Sequence, residues 1–354
     1  MQEKIESQSQ MFANRLQKRF RHLKKWAQRN GIGAFRLYDR DIPEIPLVLD
    51  FYGDCSNPDA ALCGALYKRP YEKDENEEDE WLSVMKETAA VALGIAPERV
   101  FLKQRQKQKG LSQYEKIGEE RFEKIVKERG LSFKVNLSDY LDTGLFIDKR
   151  LLREMVRKES DGKRVLNLFS YTGSFSVYSA NGGALSTDSV DLSNTYLNWA
   201  RENFSLNNFS AGLLQVWDFF KDGTKTDDKD LNCAHKLIRA DVLEFLEKAV
   251  AAKKQWDIIV LDPPGFSNSK KMVEHFDLQR DLTELLVKCL KLLTPVGKLF
   301  LSVNIKRSAP TAIELEDALR PHKLNLRITD LEEKLIDEDF KGRKQSKVFL
   351  LWLL

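Results

Sequence analysis

The chain has 354 residues, 42% hydrophobic and 31% charged, with a formal net charge of +3, which is enough apolar material for two domains. Charged residues interrupt every apolar run before it reaches about 20 residues, the length of a membrane helix. They also interrupt the N-terminal segment, so we expect no signal peptide. The four cysteines lack CxxC pairing and metal-ligand spacing, so we expect reduced thiols, no metal site, no membrane contact and a cytoplasmic protein.

The first predicted element is a basic N-terminal helix over residues 1–33, closed by Asn30-Gly-Ile-Gly33. Its apolar residues recur at helical spacing, which predicts an amphipathic helix. One charge run alone is typical of a solvated face. Two of four further basic runs, however, directly follow strands predicted near the C-terminus, where a substrate arrives, and this favours a polyanionic partner. The four runs are 103–110, 267–271, 304–307 and 341–344.

Residues 34–147 predict a small α+β domain, because strand and helix signals are mixed over this range. A helix is expected over 81–93, stopped by Gly94 and Pro97. Strands are expected at 34–38, 47–51 and 100–103, and a hairpin at 122–127 and 132–137.

Residues 148–354 alternate between strands and helices, which predicts a mostly parallel seven-stranded sheet with helices on both faces. The last two strands are joined by a loop, so we expect an antiparallel pair at one edge. Residues 211–234 are polar and long for a connection, and we interpret them as an inserted surface loop. The predicted strands are 164–168, 186–190, 236–240, 256–261, 297–303, 324–329 and 347–353, and the predicted helices are 174–180, 194–206, 241–252, 277–293 and 311–320.

Four predicted strand ends carry the candidate site. The run Val165-Leu-Asn-Leu-Phe-Ser-Tyr-Thr-Gly-Ser174 is a strand, a glycine turn and a helix start, where backbone N–H groups can hold a polar ligand. Asp191, Asp241 and Asp262 follow the next three strands. Ligands bind outside the carboxyl ends of such strands, so we expect Asp191 to accept from ribose and Asp241 from an adenine amino group. Each aspartate alone could be a helix N-cap; together with the turn they indicate a nucleoside cofactor.

The glycine content of the first turn separates two cofactor classes. A dehydrogenase would carry G-x-G-x-x-G there to let a pyrophosphate approach the backbone. This turn has Gly173 alone, and Gly182 and Gly183 come only after the helix. A cofactor without phosphate, S-adenosylmethionine, fits better. In Asp262-Pro-Pro, two prolines fix φ and remove two donors, which leaves carbonyl groups free to face a planar substrate. The pattern therefore predicts a Rossmann-like class I S-adenosylmethionine-dependent methyltransferase.

Four motifs of the chain carry a resemblance to a known family. They are Tyr140-Leu-Asp-Thr-Gly-Leu-Phe-Ile-Asp148, Leu166-Asn-Leu-Phe-Ser-Tyr-Thr-Gly173, Val190-Asp-Leu-Ser193 and Asp262-Pro-Pro-Gly-Phe-Ser-Asn-Ser-Lys270. These motifs resemble those of the ribosomal RNA large-subunit methyltransferases of the K and I type. The resemblance runs from about Ala34 to the C-terminus and is strongest to the K type, which methylates guanine N7 in 23S rRNA and in many bacteria forms the C-terminal half of a fused protein. It implies 23S rRNA or a large-subunit precursor as substrate, and a separate guanine-N2 methyltransferase as the partner that replaces the missing half.

The resemblance also implies roles for individual residues. Residues 34–147 would be an RNA-binding or accessory domain, and Arg150 would pair with the cofactor carboxylate. Asp262, Pro263 and Phe266 would form the reaction centre, where Phe266 either stacks on the unstacked base or packs in the core. Phosphates would contact Lys270, Lys271, Lys306 and Arg307. The cofactor set is Arg150, Asn167, Phe169, Ser170, Tyr171, Thr172, Gly173, Asp191, Leu192, Asp241, Val242 and Asp262.

The sequence disfavours one reaction within this family. Methylation at cytosine C5 needs a cysteine nucleophile, and Ser302-Val-Asn-Ile-Lys306 has none where related enzymes carry it, while Cys289 lies among leucines. Guanine N7 already presents a lone pair, so positioning suffices. Two alternatives stay open: methylation of guanine N2 or another rRNA base, and a non-catalytic RNA-binding ribosome-assembly factor.

Overall fold

The computed structural model describes residues 2–56, 59–67, 74–104, 121–221, 229–267, 276–304, 309–343 and 345–354. The chain divides into two compact units, one formed by Met1–Ile147 with Glu338–Lys341 and the other by Asp148–Asp337 with Gly342–Leu354. No helix in these ranges is both long and apolar enough to span a membrane.

The first unit packs two helices on a four-stranded sheet in the order β1-β2-β3-β4. β3 and β4 are parallel because α2 connects them, whereas the other neighbouring pairs are antiparallel. β3 was not predicted, since Ala61-Leu-Cys-Gly-Ala-Leu lacks both alternation and β-branched residues. The elements are α1 (Gln2–Asn30), β1 (Ala34–Asp39), β2 (Leu47–Tyr52), β3 (Ala61–Leu66), α2 (Glu75–Leu93), β4 (Val100–Gln104) and the hairpin β5 (Glu123–Glu128) and β6 (Leu131–Asn136).

Helix α1 is amphipathic as its sequence predicts. Phe12, Leu16, Leu23 and Ala27 are fully buried on one face. Trp81 on α2 donates from Nε1 to Gln8 Oε1 at 2.7 Å, which satisfies both polar groups between the two helices.

A second segment of the chain completes the first unit. Asp339 is fully buried and accepts from the backbone N–H of Arg36 at 2.9 Å. The Arg36 guanidinium pairs with Asp50 and Asp39 and lies 5.3 Å from the ring centroid of Phe340. Burial raises the pKa of Asp50, and the charge of Arg36 opposes this shift. Asp339 and Phe340 are therefore part of the buried interior of this unit.

The second unit is an eight-stranded sheet in the order β15-β16-β14-β11-β7-β8-β10-β9. Short β12 (Phe266–Ser267) and β13 (Phe276–Asp277) pair outside it. Its elements are α3 (Arg150–Glu159), β7 (Arg164–Leu168), α4 (Ser174–Asn181), β8 (Ser186–Asp191), α5 (Asn194–Leu206), β9 (Ala211–Gln215), α6 (Val216–Phe219), β10 (His235–Arg239), α7 (Val242–Ala251), β11 (Trp256–Leu261), α8 (Leu278–Lys291), β14 (Leu293–Val303), α9 (Ala312–Leu319), β15 (Leu326–Asp330) and β16 (Lys347–Leu353).

The strand directions follow the predicted pattern. From β14 to β9 all neighbouring pairs are parallel, and β16 pairs antiparallel with both β14 and β15. From β7 the chain forms β8, then the edge strand β9, and then β10 between β8 and β9, before it crosses to β11 on the other side of β7. The carboxyl ends of β7 and β11 therefore flank the switch point, where open α/β sheets bind ligands.

The prediction of an inserted surface loop over 211–234 was wrong for its first part. Ala211–Gln215 forms β9, an eighth strand parallel to β10 at the edge of the sheet. A Cβ at Gly212 would lie 2.0 Å from the carbonyl oxygen of Asp230, so glycine allows the chain to pass close to this strand. Residues 222–228 lie outside the described residues.

Candidate cofactor and active site

The loop after β7, residues 169–173, has an unusual backbone, and we call it the cofactor loop after its predicted role. Phe169, Tyr171 and Gly173 have φ of 55°, 50° and 73°, so every second residue is left-handed. Such a conformation is strained for bulky side chains and persists only where neighbours enforce it. Ser170 N donates to the Val190 carbonyl at 3.0 Å and Tyr171 N donates to Asp191 Oδ2 at 2.8 Å. These two hydrogen bonds hold the loop against the end of β8, and Gly173 N donates to the Ser170 carbonyl at 2.9 Å, so the protein itself enforces the conformation.

The end of this loop needs glycine for two reasons. Gly173 has a positive φ, and a Cβ there would lie 2.8 Å from Ala200 Cβ on α5. Asn203 on the same helix donates from Nδ2 to the Thr172 carbonyl at 2.9 Å. The loop is therefore held against α5 by direct packing and a buried hydrogen bond.

Ser170 provides a test of whether the loop fits a ligand. Its side chain is buried, and Oγ has no hydrogen-bond partner among the described residues. A buried hydroxyl without a partner costs about 1–3 kcal/mol, so such atoms in native structures commonly meet a ligand or water. The Ser170 hydroxyl fits the polar methionine end of S-adenosylmethionine, whose amino and carboxylate groups can form hydrogen bonds with it.

Asp191 at the end of β8 is held with both oxygens oriented. Oδ1 accepts from Ser193 N and Oδ2 from Tyr171 N, both at 2.8 Å. Burial raises the pKa of Asp191 to about 6, although these backbone hydrogen bonds favour the charged form. Each carboxylate oxygen can accept a second hydrogen bond, so the group is able to receive both hydroxyls of a ribose.

Asp241 caps helix α7. Its Oδ1 accepts from Leu243 N at 2.8 Å and Glu244 N at 3.3 Å. Asp241 is therefore the helix N-cap that its position in the sequence allowed. Its Oδ2 makes no hydrogen bond within the described part of the chain. Val242 beside it is buried, and Leu192 after β8 is half-buried. The two apolar side chains follow the neighbouring strands β10 and β8.

Asn167 has a structural partner rather than a free side chain. Its Nδ2 donates to Ser176 Oγ at 2.9 Å, and Ser176 Oγ lies 2.7 Å from Ser189 Oγ. These three buried groups link β7, the first turn of α4 and β8. The amide therefore positions the loop between them.

Asp262 is half-buried and lies beside the buried cations Lys149 and Arg153 at the end of β11. Burial raises the pKa of Asp262, while the charges of Lys149 and Arg153 and the nearby Ser302 hydroxyl act in the opposite direction. Pro263 beside it is buried. Neither Lys149 nor Ser302 was predicted as a site residue. The available signal for Lys149 was its position between the motif that ends at Asp148 and the predicted site residue Arg150.

Lys149 lies at the centre of this group of charges. Its Nζ donates to Ser346 Oγ at 2.6 Å and pairs with Asp148 Oδ2 at 3.1 Å. Burial alone would lower the pKa of Lys149, but the charges of Asp148 and Asp262 outweigh it and raise the pKa. The ammonium therefore stays charged and compensates the carboxylates around it.

Arg150 has a partner within the protein. Its side chain is fully buried, and Nη1 lies 2.9 Å from Asp337 Oδ2. The predicted pairing with a cofactor carboxylate stays a prediction. Phe266 belongs to β12, opposite Asp277, but its side chain lies outside the described residues. The predicted phosphate contacts Lys270, Lys271, Lys306 and Arg307 also lie outside them.

The strand order brings most of the predicted residues to one edge of the sheet. The neighbours β11, β7, β8 and β10 end in Asp262, the 169–173 loop, Asp191 and Asp241. Three strand spacings separate the first from the last, about 14 Å.

Comparison with known proteins shows the family and the fold of this chain. The S-adenosylmethionine-dependent methyltransferase family matches residues 59–334. A methyltransferase solved in complex with SAH has a TM-score of 0.68 at 23% identity, covering 97% of this chain and 81% of the other. A SAM-dependent methyltransferase from Streptococcus mutans has a TM-score of 0.66 at 23% identity, with the same coverage. These structures show the fold, and the family supplies the cofactor, S-adenosylmethionine.

Two curated relatives are closer in sequence. Ribosomal RNA large subunit methyltransferase K of Neisseria meningitidis serogroup B is 44% identical over 333 residues, covering 94% of this chain and 84% of that protein. Methyltransferase K/L of Hahella chejuensis is 40% identical over 351 residues, covering 99% of this chain and 43% of that protein. The chain thus spans less than half the length of the K/L relative. The chain belongs to the S-adenosylmethionine-dependent methyltransferase family, alongside ribosomal RNA large subunit methyltransferase K.

Proposed function

We propose that this protein transfers the methyl group of S-adenosylmethionine to guanine N7 in 23S rRNA. The observation that carries the proposal is the Asp262-Pro-Pro turn, which follows the strand next to the cofactor loop. The names of the relatives support a large-subunit rRNA substrate, and the motif resemblance supports N7.

The proposed chemistry needs little from the protein beyond positioning. S-adenosylmethionine supplies an electrophilic methyl group. Guanine N7 holds an available lone pair, so no general base has to remove a proton, and the residues act by orientation and exclusion of water. Burial raises the pKa of Cys289 far above its usual range and that of Cys63 to about 11. These thiols stay protonated, which disfavours covalent catalysis by them.

The residue roles are part of the same proposal. The 167–173 segment holds the methionine end, Asp191 the ribose and Asp241 the adenine amino group. Arg150 contributes charge near the cofactor carboxylate. Asp262 and Pro263 orient the base, and Phe266 stacks on it. Residues 34–147 and the basic residues Lys270, Lys271, Lys306 and Arg307 contact the RNA.

The test is methyl transfer from labelled S-adenosylmethionine to 23S rRNA lacking its own modifications, with the product nucleoside identified by mass spectrometry. One N7-methylguanosine per rRNA is the expected result, and Asp262→Ala should abolish it. N2-methylguanosine or a methylated cytosine would contradict the substrate atom but leave the cofactor and fold. Absence of transfer with intact S-adenosylhomocysteine binding would contradict the enzymatic role and favour an assembly factor. Adding a guanine-N2 methyltransferase tests the predicted partner in the same assay.

A further inference from the structure

Helix α1 carries a row of exposed cations opposite its buried face. Lys18, Arg21, Lys25 and Arg29 are all exposed, and at 100° per residue their side chains fall within an arc of about 80°. We call these four residues the α1 basic stripe. It extends over about 16 Å of helix, at 1.5 Å per residue. The helix precedes residues 59–334, which match the methyltransferase family.

The stripe has no acidic partner in the part of the chain that the structure describes. Arg21 and Arg29 donate from Nε to helix carbonyls one turn back, at 3.4 and 3.2 Å, which holds their head groups along the helix. Two acids from other elements contact this helix at other positions: Asp41 pairs with Arg15 at 2.7 Å, and Glu338 pairs with His22 at 2.9 Å and with Lys341 at 2.6 Å. No described residue therefore forms an ion pair with the four charges of the stripe.

This arrangement differs from an ordinary solvated helix face. Arg21, Lys25 and Arg29 stand at i, i+4 spacing, where like charges repel each other and destabilise a helix. The buried residues on the opposite face keep the helix in place despite that repulsion. The result is a fixed row of uncompensated charge that a bound anion would relieve.

We propose that the α1 basic stripe binds the phosphodiester backbone of the RNA substrate. The inference rests on the proposed rRNA substrate and adds a docking surface on the unit that does not contain Asp262. A regular row of cations about one helical turn apart suits a repeating anionic chain. A protein partner would require apolar or aromatic anchors, and every exposed residue from Lys18 to Arg29 is polar.

The test is the salt dependence of RNA binding by a variant in which all four stripe residues become glutamine. Each lost phosphate contact lowers the slope of log K against log salt by about 0.7–0.9, so four contacts predict a decrease of about 3. At about 0.1 M salt this corresponds to a loss of affinity on the order of 10²- to 10³-fold. The kcat at saturating 23S rRNA should stay unchanged while KM rises.

A charge-matched control replaces Lys158, Lys253, Lys291 and Lys323 by glutamine. All four are exposed and precede strands of the catalytic sheet, at the edge opposite to the cofactor loop. This control should keep the wild-type slope. Both variants should keep wild-type S-adenosylhomocysteine affinity and helical circular dichroism, which shows that they fold.

Two results would overturn the inference. Equal slopes in the stripe variant and the wild type would show that the stripe does not contact RNA, as expected if an acidic protein occupies it. An equal decrease in the control would show that only total charge matters. If the wild-type protein itself neither binds nor methylates 23S rRNA, the proposed function fails first, so the two failures are distinguishable.

Discussion

At the scale of single residues, the pKa of Asp191 should link cofactor binding to pH. Burial raises this pKa to about 6, and in the role proposed for Asp191 the ribose hydroxyls donate to the ionised carboxylate. The protonated acid should bind more weakly, so S-adenosylhomocysteine affinity should fall as pH drops through 6, by up to about tenfold per unit. Calorimetric titrations between pH 5 and 8 measure this. Asp191→Asn should bind weakly at every pH, whereas Asp241→Asn should keep the pH dependence; a flat wild-type profile would contradict the role of Asp191.

Lys149 should set the acid limit of methyl transfer through Asp262. The charge of Lys149 opposes the rise that burial causes in the pKa of Asp262. Removing it in Lys149→Met should raise that pKa further, so Asp262 would be protonated at a higher pH. We expect the acid limb of the kcat profile to move to higher pH, while Lys149→Arg keeps the wild-type limb. A purely structural role would lower kcat equally at all pH values.

A comparison of Gly173 with Gly162 separates the cost of a positive φ from the cost of a steric contact with α5. Gly173→Ala introduces a Cβ at φ of 73° and 2.8 Å from Ala200 Cβ. At Gly162, with φ of 67°, nothing lies within 4 Å of the added atom. We expect Gly162→Ala to cost about 1 kcal/mol of unfolding free energy and Gly173→Ala about 3 kcal/mol, with loss of cofactor affinity. Urea denaturation of both variants measures the difference, and equal costs would show that the contact with α5 is unimportant.

At the scale of elements, the segment 338–341 should be important for the stability of the first unit. Asp339→Ala leaves the Arg36 backbone N–H without its buried acceptor, which should cost about 3 kcal/mol. Asp330 pairs with Lys347, and the Asp330 side chain is 39% exposed. Asp330→Ala should therefore lower the free energy of unfolding by less than about 1 kcal/mol. Thermal unfolding checks both, and similar shifts in Tm would contradict the role of Asp339.

The elements that sequence patterns missed share a physical cause. β3 and β9 contain small or repeated apolar residues without period-2 alternation, and neighbouring strands rather than intrinsic propensity make them extended. Helices such as α5 and strands such as β7, β11 and β16 match their predicted bounds, because hydrophobic periodicity and flanking polar residues define them locally.

At the scale of the whole molecule, the strand order is a tertiary property. Alternation of strands and helices predicts a parallel sheet, but only packing of the helices on both faces decides that β11 returns beside β7. That return brings Asp262 next to the cofactor loop. The strand order is also the reason why Asp191, Asp241 and Asp262, which span 71 residues of sequence, lie at one edge of the sheet.

The sequence by itself determined the fold class, the cofactor class and the strand-end acids, because periodicity, a glycine turn and Asp-Pro-Pro are local signals. Only the tertiary structure decided which charges surround Asp262, since Lys149, Ser302 and Ser346 come from distant elements. It also gave Arg150 a partner in Asp337, showed that Asn167 binds Ser176, and placed residues 338–341 in the first unit. Burial and long-range pairing cause these features, and neither is encoded by spacing along the chain.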